Sequence, residues 1–297
     1  MKKLLVTGSS GMLGSNIIAE IGKDYEIYAS YRTSSCPPVK NSIKIDLRNH
    51  KKVEKMMDSV DPDFVVHCAA VTNVDMCESD YKSARNTNVT ATENLAASLK
   101  PGKRFIYIST DSVFDGGRGN YTEEDVPNPI NNYAKTKLEG EGVVEKILDN
   151  YVIIRTNLFG LNFSKKGTSL AEWICENLNG KRQINMFTDI IFSPITVNTL
   201  SHLIDRLLNV DFVGRLNIGS TNPISKYDFG LLLADFFNFD KSLITPVSAD
   251  TFNFKARRPK NTSLDVSKAK GIFGEIPTIK EELAIFKQKS ENIQWKF

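Results

Sequence analysis

The chain has 297 residues, enough for one large hydrophobic core or two modest ones. With 41% hydrophobic and 25% charged residues it has an ordinary globular composition, and no uninterrupted apolar run approaches a membrane span. A net charge of +3 is too small to point to nucleic acid, and the densest basic cluster, KARRPK at 255–260, has no basic stripe around it.

The opening MKKLLVTGSSG is basic then apolar, but glycine and serine interrupt it too early for a signal peptide. Cys36, Cys68, Cys77 and Cys175 show neither metal-type pairing nor a disulfide framework, so free thiols in a reducing, cytoplasmic setting are expected. In chain order, KLLVT reads as a strand ending at Gly8 and residues 12–21 as a helix. YEIYASY is rich in strand formers, SIKI is a shorter strand and KKVEKMMDSV is helical. DFVVHCAA is a buried-strand candidate, followed by a helical run over about 81–99. RFIYIST is the next strand, and a helix carrying Tyr133 leads into YVIIRT. This alternation predicts an α/β fold, a Rossmann-type doubly wound parallel sheet with helices on both faces and right-handed crossovers.

After about Asn157 the rhythm changes. Helices near 168–179, 196–209 and 225–238 are separated by irregular, proline-bearing loops, while RLNIG at 215–219 is a lone strand able to rejoin the sheet. The expected division is a sheet domain of 1–157 and 190–220, with a smaller, discontinuous C-terminal domain of 158–189 and 221–297.

VTGSSGMLG sets Gly8, Gly11 and Gly14 between the first strand and the first helix. The first glycine permits positive φ, the second lets backbone approach a pyrophosphate, and the third lets helix and strand pack tightly. The helix N-terminus, at Met12 and Leu13, supplies NH groups and positive dipole. The spacing is one residue looser than the commonest dinucleotide fingerprint, but the strand–turn–helix setting points to a dinucleotide rather than a bare turn. An acid about 20 residues further on would take the ribose hydroxyls of NAD. YASYRTSS offers Ser30, Tyr31 and Arg32 instead. Arg32 with hydroxyls suits a 2′-phosphate, so NADP(H) is the expected cofactor and NAD(H) the alternative.

In NNYAKTKLEGE, Tyr133 and Lys137 fall one helical turn apart on one face. That spacing alone carries little, since it also arises by chance. Together with the other pieces, the chain resembles the extended short-chain dehydrogenase/reductases, and more narrowly the dTDP-4-dehydrorhamnose reductase family. The resemblance rests on TGSSGMLG, the Asp46–Leu47 pair, VVHCAAVTNVDMCE, NVTATENLA, ISTDSVFDG, YTEEDVPNPINNYAKTKLEGE, RTNLFG and RRPKNTSLDVSK, in family order over nearly the whole chain.

The resemblance implies NADPH-dependent reduction of a nucleotide-linked 4-keto-6-deoxy sugar. Tyr133 would exchange the proton, Lys137 would favour its phenolate and hold the nicotinamide ribose, and Thr110 would orient the carbonyl. Asp46 and Leu47 would flank the adenine, and Ala69, Ala70 and Val71 would lie along the cofactor. Asp111 and Asn157 would contact the sugar, and Arg258 the diphosphate through its planar fork. Turn capping competes for Asp46 and Asp111, sheet packing for 69–71, and a surface loop for Arg258. Asn88 fixes a neighbouring strand or a water, or is structural; Asp75 and Glu78 read as helix-start acids, and His67 as a core residue. No metal, nucleic-acid or membrane partner is expected, and a homodimer is left open.

Relatives usually carry an aromatic at Leu158, Asp-Gln at Asp189-Ile190 and Pro-Thr at Pro194-Ile195. These departures leave the reduction chemistry intact and the identity of the sugar open. Competing readings are another nucleotide-sugar dehydratase or epimerase, and a non-catalytic regulatory subunit like that of methionine adenosyltransferase. Ser112 stands where a dehydratase would carry its acid, and no cysteine–histidine pair of the fucose-pathway type is evident.

Overall fold

The structure is a computed structural model and describes residues 1–33, 39–163 and 168–292; Cys36 lies outside them. The first half runs β1 (Lys3–Thr7), α1 (Met12–Ile21), β2 (Glu26–Tyr31), β3 (Asn41–Lys44), α2 (His50–Val60) and β4 (Phe64–His67). It continues through α3 (Val74–Ser79), α4 (Tyr81–Arg85), α5 (Ala91–Ala97), β5 (Arg104–Ile108), α6 (Asn132–Ile147) and β6 (Tyr151–Phe159). The second half holds α7 (Leu170–Asn179), β7 (Ile184–Phe187), β8 (Ile191–Phe192), β9 (Pro194–Thr196), α8 (Val197–Asn209) and β10 (Gly214–Ile218). It ends with β11 (Ile224–Ser225), α9 (Lys226–Phe237), β12 (Ile244–Val247), α10 (Ser267–Phe273) and α11 (Ile279–Asn292).

The main sheet has the order β10-β6-β5-β4-β1-β2-β3, with β9 added on β6, and every pairing in it is parallel. Strand alternation sends Leu4, Val6, Ile106, Ile108, Val152 and Ile154 to one face, where α1, α8 and α10 cover them. Leu5, Val65, Phe105, Tyr107 and Ile153 go to the other, against α2, α5 and α6. With both faces covered, the strands read as near-continuous apolar runs. RLNIG does rejoin the sheet, as β10 beside β6.

The run expected as one helix over 81–99 is broken by a π turn at Asn86–Thr90. Asn88 lies in that turn, and its amide bonds the Val71 backbone at both NH and carbonyl and the Thr136 hydroxyl. It is a buried pin between the β4 loop and α6. A second, aromatic-rich core gathers Phe159, Phe192, Phe229 and Phe286 with the apolar faces of α7, α9 and α11. Residues Leu264, Val266, Ala269, Phe273 and Ile276, from the segment expected in the smaller domain, pack instead into the main core. Among the described residues no helix is long and apolar enough to cross a membrane.

Candidate active site

The glycine turn brings three pieces of backbone together. Gly8 has φ +62°, and a β-carbon on it would stand 2.7 Å from the Ala69 nitrogen, so the first turn and the β4 loop touch backbone to backbone. A β-carbon on Gly14 would meet the Gly8 carbonyl at 2.5 Å, which is the tight helix–strand packing expected of the third glycine. Helix α1 has Gly11 as its N-cap, with no side-chain cap and no acid in its first turn, so its positive end stays available to an anion.

From this turn a groove extends in two directions. One arm, about 220 Å³, is lined by Gly8, Gly11, Arg32, Asp46, Leu47, Arg48 and the 69–71 loop. Asp46 does cap its turn: it accepts from the Arg48 NH at 3.0 Å and from the Arg48 guanidinium at 2.6–3.1 Å. Arg48 foremost, with Arg32 adding, draws its carboxyl down to about 2. Asp46 is therefore ionised and already paired with a cation. Ser30 lines this arm, and its buried hydroxyl has no hydrogen-bond partner among the described residues.

The other arm, about 520 Å³, shares Gly8, Gly11, Cys68 and Ala70 with the first, so the two form one continuous groove. Met12, Leu13 and Gly14 lie on its wall, as do Thr110, Tyr133, Lys137, Asn157, Lys226 and Arg258. Thr156 is also on this wall, and its buried hydroxyl likewise has no partner among the described residues. Helix α6 presents the pair because Asn131 caps its start, accepting from the Ala134 NH at 2.9 Å. Glu78 supports the same end through the Asn132 NH at 3.0 Å.

The electrostatics differ from the sequence expectation. Burial is the largest influence on Tyr133 and pushes its phenol well up, while a hydrogen bond with Thr110 pulls it down. The ammonium of Lys137 sits over the Tyr107 ring, 4.0 Å from its centroid, and burial draws it down to about 7. In the free groove desolvation outweighs the attraction between the two groups, because each would have to carry its charge away from water. The phenol is thus neutral at pH 7, the form able to give up a proton.

Asp111 does not reach the groove. Its carboxylate is 1% exposed and accepts from Thr110, Ser112, Asn157 and Thr262, the last at 2.6 Å. Burial raises its pKa. It acts as a buried clamp that sets Thr110, Asn157 and Thr262 in the wall. Arg258 reaches the groove while tied to Asp75 at 2.8 Å and to the Ala256 carbonyl at 3.0 Å. Asp75 accordingly binds across to the 255–260 segment, although Asn73 is the residue that caps α3. His67 is a core residue, held between Thr7 and Thr92.

Two wall residues were not legible in sequence. Lys226 opens α9, and its ammonium has no hydrogen bond or ion pair among the described residues; burial lowers its pKa while Asp111 supports the charge. Phe192 comes from the two-residue strand β8. A position at the very start of a helix and one in a two-residue strand carry no pattern that shows which way they face. Of the departures from the family pattern, Leu158 and Ile190 line the groove, whereas Ile195 is buried in the main core. No cluster able to hold a metal occurs among the described residues.

The family profile described as RmlD substrate binding domain matches residues 1–291. A probable low-salt glycan biosynthesis reductase of Haloferax volcanii is 30% identical over 289 residues, covering 94% of this chain and 95% of that protein. The mouse methionine adenosyltransferase 2 subunit beta is 30% identical over 290 residues, covering 90% of this chain and 81% of its own length. Among solved structures, dTDP-4-dehydrorhamnose reductase of Bacillus anthracis in complex with NADP superposes with a TM-score of 0.87 at 28% identity, covering 97% of this chain and 100% of that one.

Proposed function

The chain belongs to the RmlD substrate binding domain family, and from that premise we propose that it is an NADPH-dependent reductase of a nucleotide-linked 4-keto-6-deoxy sugar. The observation that carries this reading is the single groove running from Arg32, past the glycine turn, to Thr110, Tyr133 and Lys137. The residues present fit a nicotinamide dinucleotide: a bare helix N-terminus, a glycine cradle, and buried hydroxyls at Ser30 and Thr156, one on each arm, with no partner among the described residues.

Bound there, the coenzyme supplies a hydride to a carbonyl carbon. The remaining work belongs to the chain. Gly8, Gly11 and the NH groups at Met12 and Leu13 would hold the pyrophosphate, and Arg32 would take the 2′-phosphate. Thr110 orients the carbonyl oxygen, and the neutral Tyr133 phenol donates its proton to that oxygen as negative charge develops. Lys137 stabilises the phenolate left behind, an interaction that grows in the transition state. Arg258 and Asn157 line the same arm and would meet the substrate there, where the apolar Leu158 and Ile190 would shape the sugar site.

The test is incubation with NADPH and a panel of dTDP-, UDP-, GDP- and CDP-linked 4-keto sugars, with NMR of the product. A new 4-hydroxyl on one of them supports the reading; coenzyme binding without oxidation across the panel rejects it. The similarity to methionine adenosyltransferase 2 subunit beta favours one other reading, a regulatory subunit. Co-purification with a synthetase, together with no NADPH oxidation, would establish that alternative.

A further inference from the structure

Beneath the Tyr133–Lys137 pair lies a buried ionic system to which the reaction as described gives no task. Arg155 on β6 and Glu141 on α6 are 0% and 1% exposed. The guanidinium holds both carboxylate oxygens, from Nη2 at 2.7 Å and from Nε at 3.1 and 3.2 Å. The Ser109 hydroxyl donates to Glu141 Oε1 at 2.5 Å. Arg155 Nη1 is buried with no partner among the described residues, and its guanidinium lies over the Phe114 ring.

A buried ion pair is a poor device for stability alone, since apolar side chains of similar volume often serve as well or better. Leaving one guanidinium nitrogen unpaired adds to that cost. Position supplies a different rationale. Glu141 follows Lys137 by four residues, as Lys137 follows Tyr133, so the three stack on one face of α6.

The groups around the Lys137 ammonium can be taken element by element. From β4 come His67, which burial holds down at about 3, and just after it Cys68, which burial pushes up to about 12; both are uncharged at neutral pH. From β5 comes the neutral Tyr107 ring, which fits beneath α6 because residue 140 is glycine; a β-carbon there would run into its hydroxyl. From β6 comes Arg155, whose charge Glu141 takes up. From α6 itself come the neutral Tyr133 and the Glu141 carboxylate, and Glu141 is the largest of the influences that oppose the desolvation of the lysine.

We propose that Glu141 is a positioning residue: anchored by Arg155 and Ser109 one turn beyond Lys137 on the same face of α6, its carboxylate favours the charged form of Lys137 against the desolvation imposed by the wall of the groove. This rests on the reading of Lys137 as catalytic. It makes Arg155 and Ser109 the means by which β5 and β6 set the charge of a residue on α6.

The test reads the lysine directly, in the full-length protein without substrate. The pH dependence of Lys137 acetylation by acetic anhydride, followed by mass spectrometry, gives its titration midpoint. Glu141→Gln should lower that midpoint by about one unit or more, a tenfold loss of ammonium above it, whereas Glu141→Asp keeps it near the parent value. If Glu141→Gln does not fold, Glu141→Met with Arg155→Met removes both halves of the ion pair together, so that neither is left without the other, and it should still lower the midpoint by about half a unit or more. A folded variant lacking the carboxylate whose midpoint stays within about 0.2 units of the parent overturns the proposal and leaves the pair a structural strut. Because no keto sugar enters the measurement, failure of the proposed reaction and failure of this electrostatic role give separate results.

Discussion

Replacing Lys137 with methionine should stabilise the free protein by an amount that depends on pH. The ammonium is 3% exposed, and burial moves its pKa from an ordinary 10.5 to about 7. At about 1.4 kcal/mol per unit, this sets a ceiling of about 5 kcal/mol on the cost of keeping it charged. The folded value lies below the unfolded one, so between pH 7 and 10.5 the unfolded chain binds a proton that the native chain lacks. Parent stability therefore climbs with pH across that window. Below pH 7 both states are protonated and the penalty is complete. Methionine keeps an unbranched chain over the Tyr107 ring and cannot titrate. Urea unfolding at pH 6, 8 and 10 measures the difference, and other titrating groups cancel because both proteins share them. The advantage of Lys137→Met should be largest at pH 6 and shrink by about 4 kcal/mol by pH 10. A gap that does not change with pH, or a parent more stable at pH 6, would refute the reasoning.

Other outcomes follow from the same geometry. Arg32→Ala should lower kcat/KM for NADPH by about 10- to 100-fold, the worth of a charge-assisted hydrogen bond, and leave NADH within about twofold. Thr110→Val should cut kcat about 100-fold with little change in the KM for coenzyme, if the hydroxyl orients the reacting carbonyl. Gly140→Ala should destabilise by about 1–3 kcal/mol in thermal unfolding despite the helix preference for alanine, because the new methyl meets the Tyr107 hydroxyl. Adding Tyr107→Phe removes the hydroxyl but leaves the ring carbon Cζ at 2.8 Å, so it should recover only part of the loss.

The order of strands and helices through β6 was legible because a parallel sheet covered on both faces leaves short apolar runs between amphipathic ones. The glycine turn was equally legible, since Gly8 and Gly14 are required by backbone contacts that any side chain would break. What sequence could not show was the balance of forces inside the groove. The Tyr133–Lys137 spacing implied an ammonium acting on a phenol, but only burial and the Tyr107 ring reveal that desolvation dominates in the free protein. Asp111 stood beside Thr110 in a motif, yet its side chain turns inward to four donors, a direction set by Asn157 and Thr262 from distant segments. Lys226 and Phe192 were silent because they sit at a helix start and in a two-residue strand, too short for periodicity to assign a face. Glu141 and Arg155 could be quoted from the sequence, but not paired, until β6 was laid beside α6.

The most direct measurement is single-turnover hydride transfer by Tyr133→Phe, at saturating NADPH, on whichever keto sugar the panel identifies. Loss of the phenolic proton should slow the step by about 10²- to 10⁴-fold while the dissociation constant for NADPH stays within about threefold of the parent. Transfer within a few-fold of the parent rate would mean that the proton comes from elsewhere, and the assignment of this groove would be wrong.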